Sequence, residues 1–198
     1  MRLVIVLDSV GYRTFLRADT ELGGLGEVHL AYSHGSWTLP SIASMLVGIF
    51  PACSVPGCKH RSLIRPDPLL PRRANAVVYT SNPWVELLAP GLGARVVRVR
   101  RTADAIRRLG AARGSDLVFV HVMETHFRGG EPWSEEIQIE RLESVDGALM
   151  EIIGRLAPEE LVVTADHGEN FGPGERHGNF DGVFRRGIFE VPLLTVGV

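Results

Sequence analysis

The stretch Leu161-Val162-Val163-Thr164-Ala165-Asp166-His167-Gly168-Glu169 limits the fold of this chain more than any other. A valine-rich apolar run reads as a strand buried on both faces, the situation of a parallel sheet covered by helices. The run stops abruptly at a carboxylate, an imidazole and a glycine. Its polar groups therefore stand at the strand's carboxyl end, where open α/β sheets bind their ligands. Asp166 and His167 offer an anionic oxygen and a neutral nitrogen, a pair that zinc or manganese accepts, and Gly168 would let a metal or substrate approach the backbone. A turn with a capping Asp and a surface His would use the same residues. His177, in Arg176-His177-Gly178-Asn179, is near enough in the chain to return to the same rim.

Two more runs share this form. Leu3-Val4-Ile5-Val6-Leu7 ends at Asp8-Ser9, and Asp116 to Met123 ends at Glu124-Thr125-His126. His121 lies inside the second run and reads as a hydrogen-bonded core histidine. Glu27 to Tyr32, Ala76 to Thr80, Ala94 to Val99 and Val191 to Val196 supply further strands, with Pro192 suiting the start of a strand or a sheet edge. Glu136 to Leu156 places Ile137, Leu142, Val145, Leu149, Ile152, Ile153 and Leu156 at helical spacing, so a long amphipathic helix covers the sheet, with Asp146 structural within it. Thr102 to Ala112 reads as a helix capped by Thr102. The expected fold is a three-layer α/β/α sandwich with a mostly parallel central sheet. At 198 residues, 45% of them hydrophobic, residues 1–198 are expected to form a single domain around one core.

The formal net charge of -2 provides no global field for nucleic acid or an anionic membrane. The arginines between Arg95 and Arg113 read as a solvated face, since no aromatic residues interleave them. No apolar run approaches a membrane span and the first run lacks a signal-peptide cleavage pattern, so a cytoplasmic location is the default expectation. Cys53 and Cys58 could close a small disulfide loop or join His60 in a partial metal site, which falls short of a structural zinc set; two free thiols in a loop is the preferred reading.

Between Ser33 and Pro51, a proline near the start, small and apolar residues after it, and a glycine then a proline at the far end delimit a short buried helix. Thr38 stands just before it. An N-cap hydroxyl that only accepts a backbone hydrogen bond is one reading; a hydroxyl placed to attack an anion held at a helix start is the other. A parallel sheet brings Asp8, Glu124, His126, Asp166 and His167 to one rim, beside this hydroxyl and His177. Two carboxylates, several imidazoles and a hydroxyl are what a metal-dependent site for phosphoryl or sulfuryl transfer needs.

At these residues the sequence resembles the alkaline phosphatase superfamily, and especially its sulfatase-like hydrolases and transferases. Val4 to Ser9 is similar to the family's first strand with its metal-binding aspartate. Trp37 to Ser41 and Met45 to Pro51 are similar to its nucleophile helix, Met123 to His126 to its mid-chain histidine, and Thr164 to Glu169 with Arg176 to Asn179 to its late metal motif. The resemblance implies an alkaline-phosphatase-like catalytic domain that lacks the usual C-terminal subdomain and membrane anchor. Sulfatases carry a cysteine or serine where Thr38 stands and an arginine where Ile42 stands, which disfavours formylglycine chemistry. Threonine nucleophiles belong to the phosphodiesterase and phosphoethanolamine-transferase branches. The resemblance thus implies a phosphoester hydrolase or phospho-group transferase with a phosphothreonine intermediate. Asp8, Thr38, Asp166, His167 and His177 would be metal ligands, with Thr38 and His126 catalytic and Glu124 and Arg176 binding substrate. One or two divalent ions are implied, zinc or manganese ahead of calcium or magnesium, acting on a small-molecule, lipid or glycan phosphoester. A sulfate-ester hydrolase and a catalytically silent metal-binding or partner-binding member are the alternatives.

Overall fold

The structure is a computed structural model that describes residues 1–47, 75–127, 129, 132–172, 177–178 and 184–197. Among these residues seven strands form one sheet: β1 (Arg2–Leu7), β2 (Val28–Tyr32), β3 (Ala76–Thr80), β4 (Arg95–Arg98), β5 (Leu117–Val122), β6 (Glu160–Ala165) and β7 (Glu190–Val196). Their spatial order is β2-β7-β6-β1-β5-β3-β4. The strands β4, β3, β5, β1 and β6 run parallel, while β7 pairs antiparallel with both β6 and β2.

Pleat alternation sorts the apolar side chains into two cores. Leu3, Ile5 and Leu7 of β1 join Val118, Val120 and Val122 of β5 and Leu161 and Val163 of β6 on one face. The helix α5 (Glu135–Leu156) covers that face through Leu142, Val145, Leu149 and Ile152, and α1 (Tyr12–Arg17) packs beside it through Phe15. Val6, Val78 and Phe119 point the other way, against Ile42 and Leu46 of α2 (Thr38–Val47) and Val85 of α3 (Pro83–Leu88). The result is the α/β/α layering expected from the sequence.

Local chemistry explains the boundaries of α5. Ser134 Oγ accepts the Ile137 N–H at 3.3 Å, Glu135 and Glu136 lie in the first turn and Arg155 in the last, all favourable to the helix dipole. Asp146 is structural as expected: its carboxylate accepts the backbone N–H groups of Glu21 and Leu22 at 2.8 and 3.1 Å, which anchors the 3-10 turn Leu22–Leu25.

Three expectations change in detail. The helix expected from Thr102 to Ala112 is α4 (Thr102–Ile106) followed by a separate 3-10 turn, Leu109–Ala112, consistent with the weak helix propensity of Gly110. Thr102 is its first residue rather than its cap. Pro192 sits inside a strand with neighbours on both sides, one residue past the last β6 pair, Thr164 with Leu193; its carbonyl accepts the Thr164 hydroxyl at 2.7 Å.

Gly168 has a purpose other than admitting a ligand. A Cβ on it would lie 2.1 Å from the Gly187 carbonyl oxygen and 3.0 Å from Gly11 Cα, so three backbone segments meet where only hydrogen fits. Because the obstructing atoms are backbone, Gly168→Ala is expected to destabilise the fold by about 3 kcal/mol or more. Urea denaturation would show this as a lowered midpoint with an unchanged slope.

Candidate metal and nucleophile site

Register places the site. Leu7 pairs with Val122 of β5 and Ala165 of β6, so the residues that follow them stand side by side at the carboxyl edge of the sheet. Asp8 and Asp166 continue the alternation of Val6 and Thr164, and His121 shares the face of Phe119, so all three side chains lie toward the α2 layer. All three residues are buried, the two aspartates completely. Ligand atoms of Asp8, His121 and Asp166 lie within 4.8 Å of one another, a cluster that can hold a metal ion.

The distances within this cluster are those of a cation cage. His121 Nε2 is 3.4 Å from Asp8 Oδ2 and 3.8 Å from Asp166 Oδ2. His167 Nε2 is 3.6 Å from Asp166 Oδ2 and 3.9 Å from Asp8 Oδ1. Thr38 Oγ1 lies 3.5 Å from Asp8 Oδ2, and His126 Nε2 lies 3.9 Å from Asp8 Oδ1. These separations are wide for hydrogen bonds, yet close to the roughly 3.4 Å edge of a tetrahedron with zinc-ligand bonds of about 2.0–2.1 Å. Three of the atoms concerned, His121 Nε2, Asp166 Oδ2 and His167 Nε2, are buried without a hydrogen-bond partner. Buried polar atoms are normally paired, so three unpaired atoms converging on one point suit a cation bound between them.

Electrostatics agree. Burial acts to raise the Asp166 carboxyl, but the neighbouring imidazoles of His167 and His121 and the Ser9 N–H overcome it and hold the group well below the usual carboxylate range. Burial acts to lower His121, and the two aspartates overcome that and raise it. The ionised Asp166, beside Asp8 and the imidazoles, offers an anionic oxygen that a divalent cation can accept.

The backbone fixes these groups from several sides. Ser9 adopts a left-handed φ of 65°, and its N–H donates to Asp166 Oδ1 at 3.1 Å while its hydroxyl donates to Asp8 Oδ1 at 2.9 Å. The His167 N–H donates to the same Asp166 oxygen at 2.9 Å, and His167 Nδ1 meets the Gly168 carbonyl at 2.9 Å, which leaves Nε2 for the cation. Gln138, buried on α5, donates through Nε2 to the carbonyls of Ser9 at 3.0 Å and Thr125 at 3.2 Å. The Thr125 hydroxyl donates to the Asp8 carbonyl at 2.8 Å.

Thr38 is the first residue of α2, and the turn before it is tightly built. A Cβ on Gly35 would lie 2.6 Å from Pro40 Cγ and 2.9 Å from the Ser41 nitrogen, so glycine is needed for the chain to fold back on the helix. The Ser33 hydroxyl bonds the Asp166 carbonyl and meets Ser41 Oγ at 2.9 Å, tying α2 to the end of β6. Gly178 N–H donates to the Ser36 carbonyl at 2.7 Å, which brings His177 to the same mouth.

Among the sequence candidates, Asp8, Thr38, His126, Asp166 and His167 converge on one point. His177 stands beside it: its ring centroid is 4.9 Å from that of His167 and 5.3 Å from that of His126. Its Nδ1 faces both oxygens of Glu169 at 3.0 Å. Burial acts to lower His177, and Glu169 overcomes it and raises the group. Glu124 turns elsewhere, its carboxylate accepting the Thr102 N–H at 2.5 Å and the Thr102 hydroxyl at 3.1 Å. Arg176, Cys53, Cys58 and His60 lie outside the described residues. Two site residues escaped the sequence reading. His121 looked like a core histidine because its strand is apolar throughout; its parity with Phe119, set against Val118, Val120 and Val122, is the signal that separates it. Glu169 lies two residues past His167, and nothing in the sequence tied it to His177.

Several solved structures resemble this arrangement in architecture. A C-terminal periplasmic domain of the phosphoethanolamine transferase EptC from Campylobacter jejuni matches 98% of this chain and 78% of its own at 14% identity, with a TM-score of 0.60. A protein of the alkaline phosphatase superfamily from Vibrio parahaemolyticus matches 99% of this chain and 59% of its own at 13% identity, with a TM-score of 0.66. The chain has an alkaline-phosphatase-like α/β fold. The periplasmic domain of EptC from Escherichia coli, solved in complex with Zn, aligns with 98% of this alkaline-phosphatase-like chain and 71% of its own at 14% identity and a TM-score of 0.66. No protein-family model matches the chain. No curated protein matches it either.

The cytoplasmic location expected by default is corrected by these neighbours. The two EptC structures are periplasmic domains, which removes the ground for a cytoplasmic default. Among the described residues no helix is long and apolar enough to cross a membrane.

Proposed function

We propose that residues 1–198 form a catalytic domain that hydrolyses or transfers phosphoesters in a metal-dependent reaction, through a phosphothreonine at Thr38. The observation that carries this reading is Thr38 Oγ1 at 3.5 Å from Asp8 Oδ2, on the edge of a buried cluster whose His121, Asp166 and His167 each present an unpaired ligand atom. Asp8, Thr38, Asp166 and His167 would hold the ion, with His121 joining them. The mixture of carboxylate and imidazole favours zinc or manganese over calcium or magnesium. When bound, such an ion supplies Lewis-acid stabilisation of charge on the phosphoryl oxygens and lowers the pKa of a nearby hydroxyl.

The chain's own groups account for the remaining steps. Thr38 Oγ1 attacks phosphorus and its proton is directed to Asp8 Oδ2, while the bond from phosphorus to the leaving oxygen breaks. His177, its Nδ1 engaged by Glu169, keeps Nε2 for the leaving oxygen, and its raised pKa suits the delivery of a proton. His126, with its ring next to that of His177, is the second candidate for this proton. Water or an acceptor alcohol then gives its proton to His177 and attacks the phosphothreonine, the bond from phosphorus to Thr38 Oγ1 breaks, and the proton held at Asp8 returns to that oxygen. Substrates of the lipid or glycan phosphodiester type fit the company of phosphoethanolamine transferases among the structural neighbours.

Acid quenching during turnover of an aryl phosphodiester, followed by mass spectrometry of the peptides, tests this. The expected result is a phospho adduct on Thr38. Turnover with Thr38 unlabelled and a normal rate in Thr38→Ala would remove the reading.

A further inference from the structure

Beside Thr38 lies an open cavity of about 460 Å³. Thr38, His126 and His177 contribute to it, together with Trp37, Trp84 and Met123. No carboxylate, lysine or arginine lines it among the described residues. The two tryptophans meet edge to face, with ring centroids 5.7 Å apart and planes at 88°. Trp84 is 41% exposed, a large apolar surface left open to water at the mouth of a polar site.

This wall is rigidly mounted. Trp84 sits in the first turn of α3, with Pro83 before it and Asn82 as the cap whose Oδ1 accepts the Trp84 N–H at 2.9 Å. Asn82 is buried; its N–H donates to Thr80 Oγ1 at 2.9 Å and its Nδ2 donates to Met123 Sδ at 3.4 Å. Asn82 therefore fixes the Trp84 backbone and the Met123 thioether together, and the indole packs edge to face on Trp37. Rigid aromatic surfaces bind with little loss of conformational freedom, and their natural partner is another flat face.

We propose that this cavity is a subsite for the leaving group, and that it selects a neutral ring, the face of a sugar or an aryl group, directly attached to the ester oxygen. The assignment rests on the phosphothreonine reading, because His126 and His177, which would protonate the departing oxygen, share the cavity with the tryptophans. A compact alkyl group would leave the indoles uncovered. An ammonium group would find no carboxylate in the lining to pair with. A carboxylate or second phosphate would find no lysine or arginine in the lining to pair with.

Calorimetric titration of the metal-replete protein with phenylphosphonate, methylphosphonate and 2-aminoethylphosphonate tests the subsite apart from turnover. Phenylphosphonate is expected to bind about tenfold more tightly than methylphosphonate, with the ratio falling close to one in Trp84→Ala and largely restored in Trp84→Phe. Equal affinities in the wild type, an unchanged ratio in Trp84→Ala, or tighter binding of 2-aminoethylphosphonate than of phenylphosphonate would each overturn the proposal. Turnover of an aryl phosphoester is measured in parallel. A ratio that depends on Trp84 without any Thr38-dependent turnover upholds the ring subsite and removes the phosphothreonine reading. Turnover with a flat ratio does the opposite.

Discussion

Thr38→Ala, assayed with metal in excess because Thr38 is also one of the groups that would hold the ion, is expected to lower turnover of an aryl phosphodiester by on the order of 10^4-fold or more, while Asp8, His121, Asp166 and His167 still bind metal. The size of the loss follows from the role assigned to the hydroxyl. Without Oγ1 no covalent intermediate forms, and only direct attack by water remains. The fold should tolerate the change, since Thr38 Oγ1 makes a single long contact, 3.5 Å to Asp8 Oδ2, and the turn before α2 is held by Ser33, Gly35 and Ser41 instead. Thr38→Ser retains an attacking oxygen and is expected to recover a large part of the rate. Steady-state kinetics beside metal analysis separate these outcomes. A rate within tenfold of wild type in Thr38→Ala would show that the threonine is an ordinary helix-start residue.

His121→Leu is the second substitution with a large expected effect, and it distinguishes a ligand from a core side chain. Leucine fills similar space in a strand whose other residues are apolar, so a merely structural histidine would be replaced at little cost. As a ligand, its loss is expected to weaken zinc binding by on the order of 100-fold, at least the scale seen when groups that only support ligands are removed. The metal-free protein should also lose stability, because Asp8 and Asp166 would face each other without the imidazole that both carboxylates draw into the charged form. Competition against a chromophoric chelator gives the affinity and urea denaturation the stability. Unchanged zinc binding would return His121 to the core.

These two residues mark how far the sequence alone could be read. Thr38 was legible because a proline, a run of small residues and a helix start surrounded it, and Asp8, Asp166 and His167 were legible because an apolar strand ends at each. Strand order turned that list into a place: β1 lies between β5 and β6, so their carboxyl ends adjoin. His121 was hidden by its own context. In a strand buried on both faces the apolar pattern no longer alternates, and only the sorting of neighbours between two helix layers shows which way a side chain points. Glu124 failed in the other direction. It stands in the loop after β5 as expected, but two donors on Thr102 claim its carboxylate, and Thr102 is 22 residues away in sequence. Gly168 was read as room for a ligand, whereas the space is taken by Gly187 and Gly11, contacts that sequence proximity could not suggest.

Gln138 gives the arrangement a mechanical consequence. One amide on α5 grips the carbonyls of Ser9 and Thr125, and Thr125 in turn grips Asp8, so the loops bearing a carboxylate and His126 are suspended from a helix that contributes no ligand of its own. Lifting that helix by a few ångströms would slacken both loops at once while the seven strands stayed hydrogen-bonded to one another. Catalytic competence in such a protein would therefore track the seating of its longest helix, and would fade before the sheet itself came apart.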